Sequence, residues 1–185
     1  NMLSARRWTT SINSGQFKKS TGKDTYPAYL QKDVKNGVLQ VYANGEMNYT
    51  IKGVHAKVSV VWNFEAPEGS GDTHYSVMRG TKANLIIKQG SEQGYKPTLY
   101  IEPVKSNDAA YEKALKQGIE KIAKNYPGLT LKPAKTGWEV VVPEKYKAGH
   151  ETHFAEVTKK YLRFIKEGQL PGWEKEALLS KYYTT

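Results

Sequence analysis

The sequence predicts an α+β fold, an open, largely antiparallel β-sheet with helices packed on one face. Three observations carry this. Residues 38–102 read as short β segments punctuated by Gly and Pro. Within them, residues 54–64 alternate apolar and polar with a period of two. From residue 108 onward the apolar residues switch to helical spacing. With no internal repeat and no low-complexity linker, residues 1–185 read as a single domain.

The first predicted element is a short helix, Ser14 to Thr21, stopped by Gly22. Asn44-Gly45 then stands between Val38–Ala43 and Glu46–Ile51. Asn-Gly tolerates positive φ at both central positions, so it predicts a type I′ hairpin turn. Next, Val54, Ala56, Val58, Val60, Trp62 and Phe64 point one way, and His55, Lys57, Ser59, Val61 and Asn63 the other. The apolar set is expected to pack on a core, and the polar set to meet water, a ligand or another subunit. Thr73–Arg79, Ala83–Lys88 and Thr98–Glu102 read as further strands, giving a sheet of about seven with the later short ones.

The helical half opens at Asp108 to Tyr126, with Tyr111, Leu115, Ile119, Ile122 and Tyr126 on one stripe. Ser106 or Asn107 is available as its N-cap, and Pro127-Gly128 ends it. Leu129–Leu131 and Trp138–Val142 are short strands. Glu151 to Glu167 is a second helix, with Phe154, Val157, Tyr161, Phe164 and Ile165 on its apolar stripe and Gly168 as its stop. Trp173 to Tyr182 reads as a third.

Composition excludes several classes. The 185 residues are 38% hydrophobic and hold no apolar run near the ~20 residues of a membrane span. Cysteine is absent, which removes disulfide scaffolds, thiolate zinc sites and cysteine nucleophiles. It leaves the compartment open. The net charge is +10, but 24 of the 28 basic residues are Lys and they are spread along the chain. Base and bidentate phosphate readers favour clustered Arg, so nucleic acid is not the expected partner. Asn1-Met2 is not an ordinary start, and the chain reads as a piece of a longer protein.

Few motifs carry chemistry. In Gly149-His150-Glu151-Thr152-His153-Phe154 the histidines are three apart, whereas the zinc motif His-Glu-x-x-His needs four. The pair therefore predicts no metal. It does stand at the start of a predicted helix, where free N–H groups and the dipole favour polar or anionic ligands. The competing reading is two surface or capping histidines. Gly69-Ser70-Gly71 lacks the third Gly and the following helix of a dinucleotide fingerprint.

Several strings together resemble the C-terminal domain of a bacterial subgroup of the Gfo/Idh/MocA oxidoreductases. They are Arg6–Thr10, Asp33–Gly45, Gly53–Val58, Glu65–Gly69, Gly71–Tyr75, Met78–Ala83, Gly149–Phe154, Gly168–Glu174 and Lys181–Thr185. The resemblance covers nearly the whole chain. It implies a parent protein with an N-terminal Rossmann domain that binds NAD or NADP. It also implies a second domain that helps form the pocket for a sugar, polyol or derivative. That second domain commonly assembles a homo-oligomer through its open sheet. The family's Glu-Lys-Pro-type Lys motif and the His opening the second domain are not in this chain. No catalytic, cofactor-binding or metal residue is therefore assigned here.

In the wider family the stretch matching Gly149 to Phe154 approaches the substrate, which points to His150 and His153 as substrate contacts. Arg79 and Trp62 join them as further candidates, set against a structural ion pair for Arg79 and core packing for Trp62. A non-catalytic carbohydrate-binding or scaffold module is the alternative reading. The polar face around His55, Lys57, Ser59, Val61 and Asn63 is expected to be buried in the oligomer.

Overall fold

The computed structural model describes residues 1–105 and 109–184. Ser106, Asn107 and Asp108, where the cap of the long helix is expected, lie outside them. The chain forms two compact units, Asn1–Ala66 with Gln169–Thr185, and Pro67–Gly168.

The first unit is built on β1 (Met2–Ile12), α1 (Ser14–Thr21), β2 (Val34–Lys35), β3 (Val38–Ile51) and β4 (Val54–Val60). All four strands are antiparallel. β3 is the central ribbon, with β1 along one side and β2 and β4 on the other. Helix α1 forms where predicted. Asn13 accepts from the Gln16 amide while the Gln16 side chain accepts from the Asn13 amide, a complete capping box. Gly22 closes the helix in the left-handed conformation, φ 73°. Phe17 from α1 joins Ile12 and Leu39 in a small core, ringed by Tyr26, Leu30, Val34 and Val41.

Asn44-Gly45 is not a turn. β3 runs straight through it. The reversal falls at Lys52-Gly53, where φ is 50° and 79°, the pair of positive values a type I′ turn needs. Asn44 is instead 6% exposed, and its side chain is fully engaged. Its Nδ2 donates to Trp8 O at 3.2 Å and Thr10 Oγ1 at 2.9 Å, and its Oδ1 accepts from the Trp62 amide at 2.7 Å. These long-range bonds outweigh the local turn preference. A register shift between Trp8 and Thr9 leaves Ala43 bulged and turns the later residues over.

The hairpin's apolar register does not pack on a core of this chain either. Val54 is 67% and Val60 58% exposed, with Val58 also open. On the opposite face Glu46 is flanked by Lys57 at 3.0 Å and Arg6 at 3.4 Å. Lys57, then Arg6, hold its carboxyl below the ordinary value of 4.5. The folded pKa is the lower one, so the stabilisation is complete above about 4.5 and is lost as pH falls through the folded value. Glu46→Gln should therefore lose less stability than the parent on acidification from pH 6 to pH 3, read by urea unfolding. Equal acid sensitivity would refute this.

The second unit holds β5 (His74–Arg79), β6 (Ala83–Gln89), β7 (Thr98–Pro103), α2 (Ala109–Ala123), β8 (Thr130–Ala134), β9 (Gly137–Val141) and α3 (His150–Glu167). Its strands form a separate antiparallel sheet in the order β5-β6-β7-β9-β8. The fold is thus α+β with open antiparallel sheets, as predicted, but the strands divide between two sheets instead of sharing one of about seven. Cross-strand partners place Leu85, Ile87, Leu99, Ile101, Trp138 and Val140 on one face. Helix α2 lies against β8, and Tyr111 on it meets the Trp138 ring with centroids 6.0 Å apart. The other face is mixed, with buried Ile86 in register with Val77 and Tyr100 beside Lys88–Glu102 and Lys132–Glu139 pairs at 3.4 and 3.8 Å.

Gly118, inside α2, has open space where a Cβ would stand. Gly118→Ala should raise stability by about 0.5–1 kcal/mol, because Gly carries an entropy cost in a helix interior. Thermal unfolding checks this, and an unchanged or lower Tm refutes it. The last helix, α4 (Gly172–Thr184), belongs to the first unit. No helix among the described residues is long and apolar enough to cross a membrane.

Candidate functional site

The histidine pair stands on the first turn of α3. Gly149 is the N-cap, extended at φ −75° and ψ 170°, and no side chain caps the helix. The helix begins at its backbone, with the His153 amide donating to Gly149 O at 3.1 Å. Its leading N–H groups are left for solvent or a ligand. Glu151 in the first turn suits the positive end of the helix dipole.

The His150 ring lies on the Phe154 ring, centroids 4.6 Å apart, while its side chain remains 78% exposed. Its Nδ1 is 3.9 Å from a Glu151 carboxylate oxygen, too far for a hydrogen bond. His153 is also exposed. Two open imidazoles on one turn, one backed by an aromatic ring, can donate to and accept from hydroxyl groups. Among the described residues no cluster of three His, Asp or Glu could hold a metal ion.

Arg79 ends β5, exposed, opposite Asn84. Gly80 follows it and closes a tight connection by donating to Ala83 O at 3.0 Å. No hydrogen bond, ion pair or ring contact joins Arg79 to the histidines among the described residues. Trp62 belongs to the first unit. Its amide is held by Asn44, its carbonyl accepts from Thr10 Oγ1 at 2.6 Å, and its ring meets Phe64 edge-on at 6.0 Å. The indole is 38% exposed and therefore not a core side chain, although its backbone is a structural node.

Sequence reasoning missed a concavity of about 680 Å3 in the first unit, lined chiefly by Tyr49, Ile51, Leu179, Tyr182 and Tyr183. It contains none of the predicted site residues. The signal available was the apolar pair at the end of β3, which the misplaced hairpin turn obscured. Gly69–Gly71 lies in a loop leading to strand β5, not to a helix, so it is no pyrophosphate cradle.

Over residues 1–185 the chain matches the family described as "Putative oxidoreductase C terminal domain". The chain belongs to this family. The oxidoreductase C-terminal domain is also similar to a solved structure, a "putative oxidoreductase" from Parabacteroides merdae. The two share 53% sequence identity with a TM-score of 0.95. The match covers 100% of this chain and 42% of that one, so the domain spans less than half of the solved protein. The comparison with curated proteins gave no match. Both findings agree with the Gfo/Idh/MocA resemblance of the sequence.

Proposed function

We propose that this domain is the substrate-binding and oligomerisation part of an NAD(P)-dependent oxidoreductase acting on a sugar, polyol or derivative. The observation that carries the reading is the match of every residue to an oxidoreductase C-terminal family. The nicotinamide, which exchanges a hydride with the substrate carbon, belongs in this reading to an N-terminal Rossmann domain. Nothing in the loop at Gly69–Gly71 fits its pyrophosphate. This chain's task is to hold the substrate. His150 and His153 supply donors and acceptors for hydroxyl groups. The ring of Phe154 steadies His150 from behind. Arg79, exposed at the end of β5, is a further contact in the same proposal.

Assembly follows from the first unit's open sheet. The apolar face with Val54, Val58 and Val60 is exposed, while the opposite face already satisfies its charges through Glu46, Arg6 and Lys57. Burying the valine face between copies removes apolar surface from water without stripping an ion pair of solvent. The valine face is therefore a better oligomer seat than the polar face around His55, Lys57 and Ser59.

The test is turnover by the full-length protein with NAD or NADP and a panel of sugars and polyols, followed by nicotinamide absorbance. His150→Ala and His153→Ala should each raise KM about tenfold and change kcat less, the loss of one substrate hydrogen bond of about 1.4 kcal/mol. Turnover with unchanged KM in both variants would remove the histidines from the site. No turnover on any hydroxylated substrate would favour a non-catalytic module. Calorimetry of the 185-residue chain should show no micromolar binding of NAD or NADP.

A further inference from the structure

We propose that the apolar stripe of α3 is the seat of the N-terminal domain of the same polypeptide. This rests on the reading above, in which that domain carries the nicotinamide. The stripe is Phe154, Val157, Tyr161 and Ile165, spaced to share one side of a helix. Its four residues are between 58% and 63% exposed, whereas Phe164 on the same helix is buried. Four large apolar side chains in a row along three turns form a patch that soluble proteins leave open only for a partner.

More than half of the Parabacteroides merdae protein lies outside the matched region, enough polypeptide for a covering domain.

The choice of occupant comes from where the stripe begins. Phe154, its first member, carries the His150 ring on its own at 4.6 Å. A substrate held by His150 and His153 has to be reached by the domain that supplies the redox chemistry. The apolar surface running on from those histidines is thus covered by that domain. A second copy of this chain brings no redox group to the histidines, and its seat is the valine face of the first unit.

Hydroxyl-radical footprinting with mass spectrometry tests this on the full-length protein and the 185-residue chain. Labelling of Phe154 and Tyr161 should fall at least tenfold in the full-length protein, equally at all protein concentrations. Equal labelling in both proteins overturns the proposal, as does protection already present in the 185-residue chain. Protection that vanishes on dilution to monomer also overturns it, in favour of a second copy. Val157→Asp supplies an independent readout. It should leave the Tm of the 185-residue chain unchanged and lower that of the full-length protein, or split its unfolding into two transitions. An unchanged full-length melt overturns the seat. Protection of the stripe in a full-length protein that binds neither NAD nor NADP supports the seat while overturning the functional reading.

Discussion

Asn44→Ala unfolds at much lower urea than the parent chain, with an expected loss of about 3 kcal/mol. The side chain is buried and makes three hydrogen bonds, to Trp8 O, Thr10 Oγ1 and the Trp62 amide. Together they tie two segments, β1 through Trp8 and Thr10 and the stretch after β4 through Trp62, to the centre of β3. Alanine leaves these groups without their partner where water reaches them poorly, and an unsatisfied buried group costs about 1–3 kcal/mol. Thr10 also donates to Trp62 O, so losing Asn44 loosens the chain on both sides of residue 62. Asn44→Asp separates the contributions, because it keeps an acceptor for Trp62 and loses both donors. It should be at least as damaging as alanine at pH 7, where burial opposes the charge, and should recover in part on acidification. A loss under about 1 kcal/mol for alanine would show that the three bonds contribute little net stability.

Gly137→Ala is the second large effect, with an expected loss of about 3–5 kcal/mol. Gly137 opens β9 at φ 140°, a conformation that side chains rarely adopt. An added Cβ would stand 2.2 Å from Ile101 O and 3.1 Å from Pro103 Cδ. The first of these is backbone in the β7–β9 ladder and cannot swing aside. Relief requires β9 to move away from β7, which pulls Trp138 and Val140 out of the core face. Thermal unfolding and amide exchange across β7 and β9 measure this. A variant that melts within about 2 °C of the parent would show that the ladder yields cheaply.

Local signals were legible where the physics is local. Helix α1 carries its capping box and its left-handed Gly22 within a few residues, so it forms as predicted. Helix α3 is bounded by Gly149 and Gly168 for the same reason. The Lys116–Glu112 pair at 2.7 Å is the i,i+4 contact that a helix imposes on those positions. Asn44-Gly45 shows the opposite case. Its turn preference is small beside three long-range bonds to Trp8, Thr10 and Trp62, none adjacent in sequence. β1 carried no readable period. Arg6, Arg7 and Trp8 become a strand by pairing with Glu46, Gly45 and Asn44 some forty residues away.

The candidate site divides in the same manner. The spacing of His150 and His153 places both on one helical turn, and the structure keeps them there, open to solvent. The contact of His150 with Phe154 follows from the four-residue spacing. Whether Arg79 or Trp62 could share that site depends on pairing over long distances, which no spacing reveals.

The sequence by itself determined the α+β class, the three long helices, the antiparallel character of the strands and the family. Each depends on periodicity, on capping chemistry or on strings of residues, all written along the chain. Only the tertiary structure decided that the strands form two sheets, that Asn44 is a buried node, and that the valine face and the α3 stripe lie open. Those outcomes depend on which surfaces meet, and the free energy of burial is set by distant partners that a period of two or 3.6 residues does not encode.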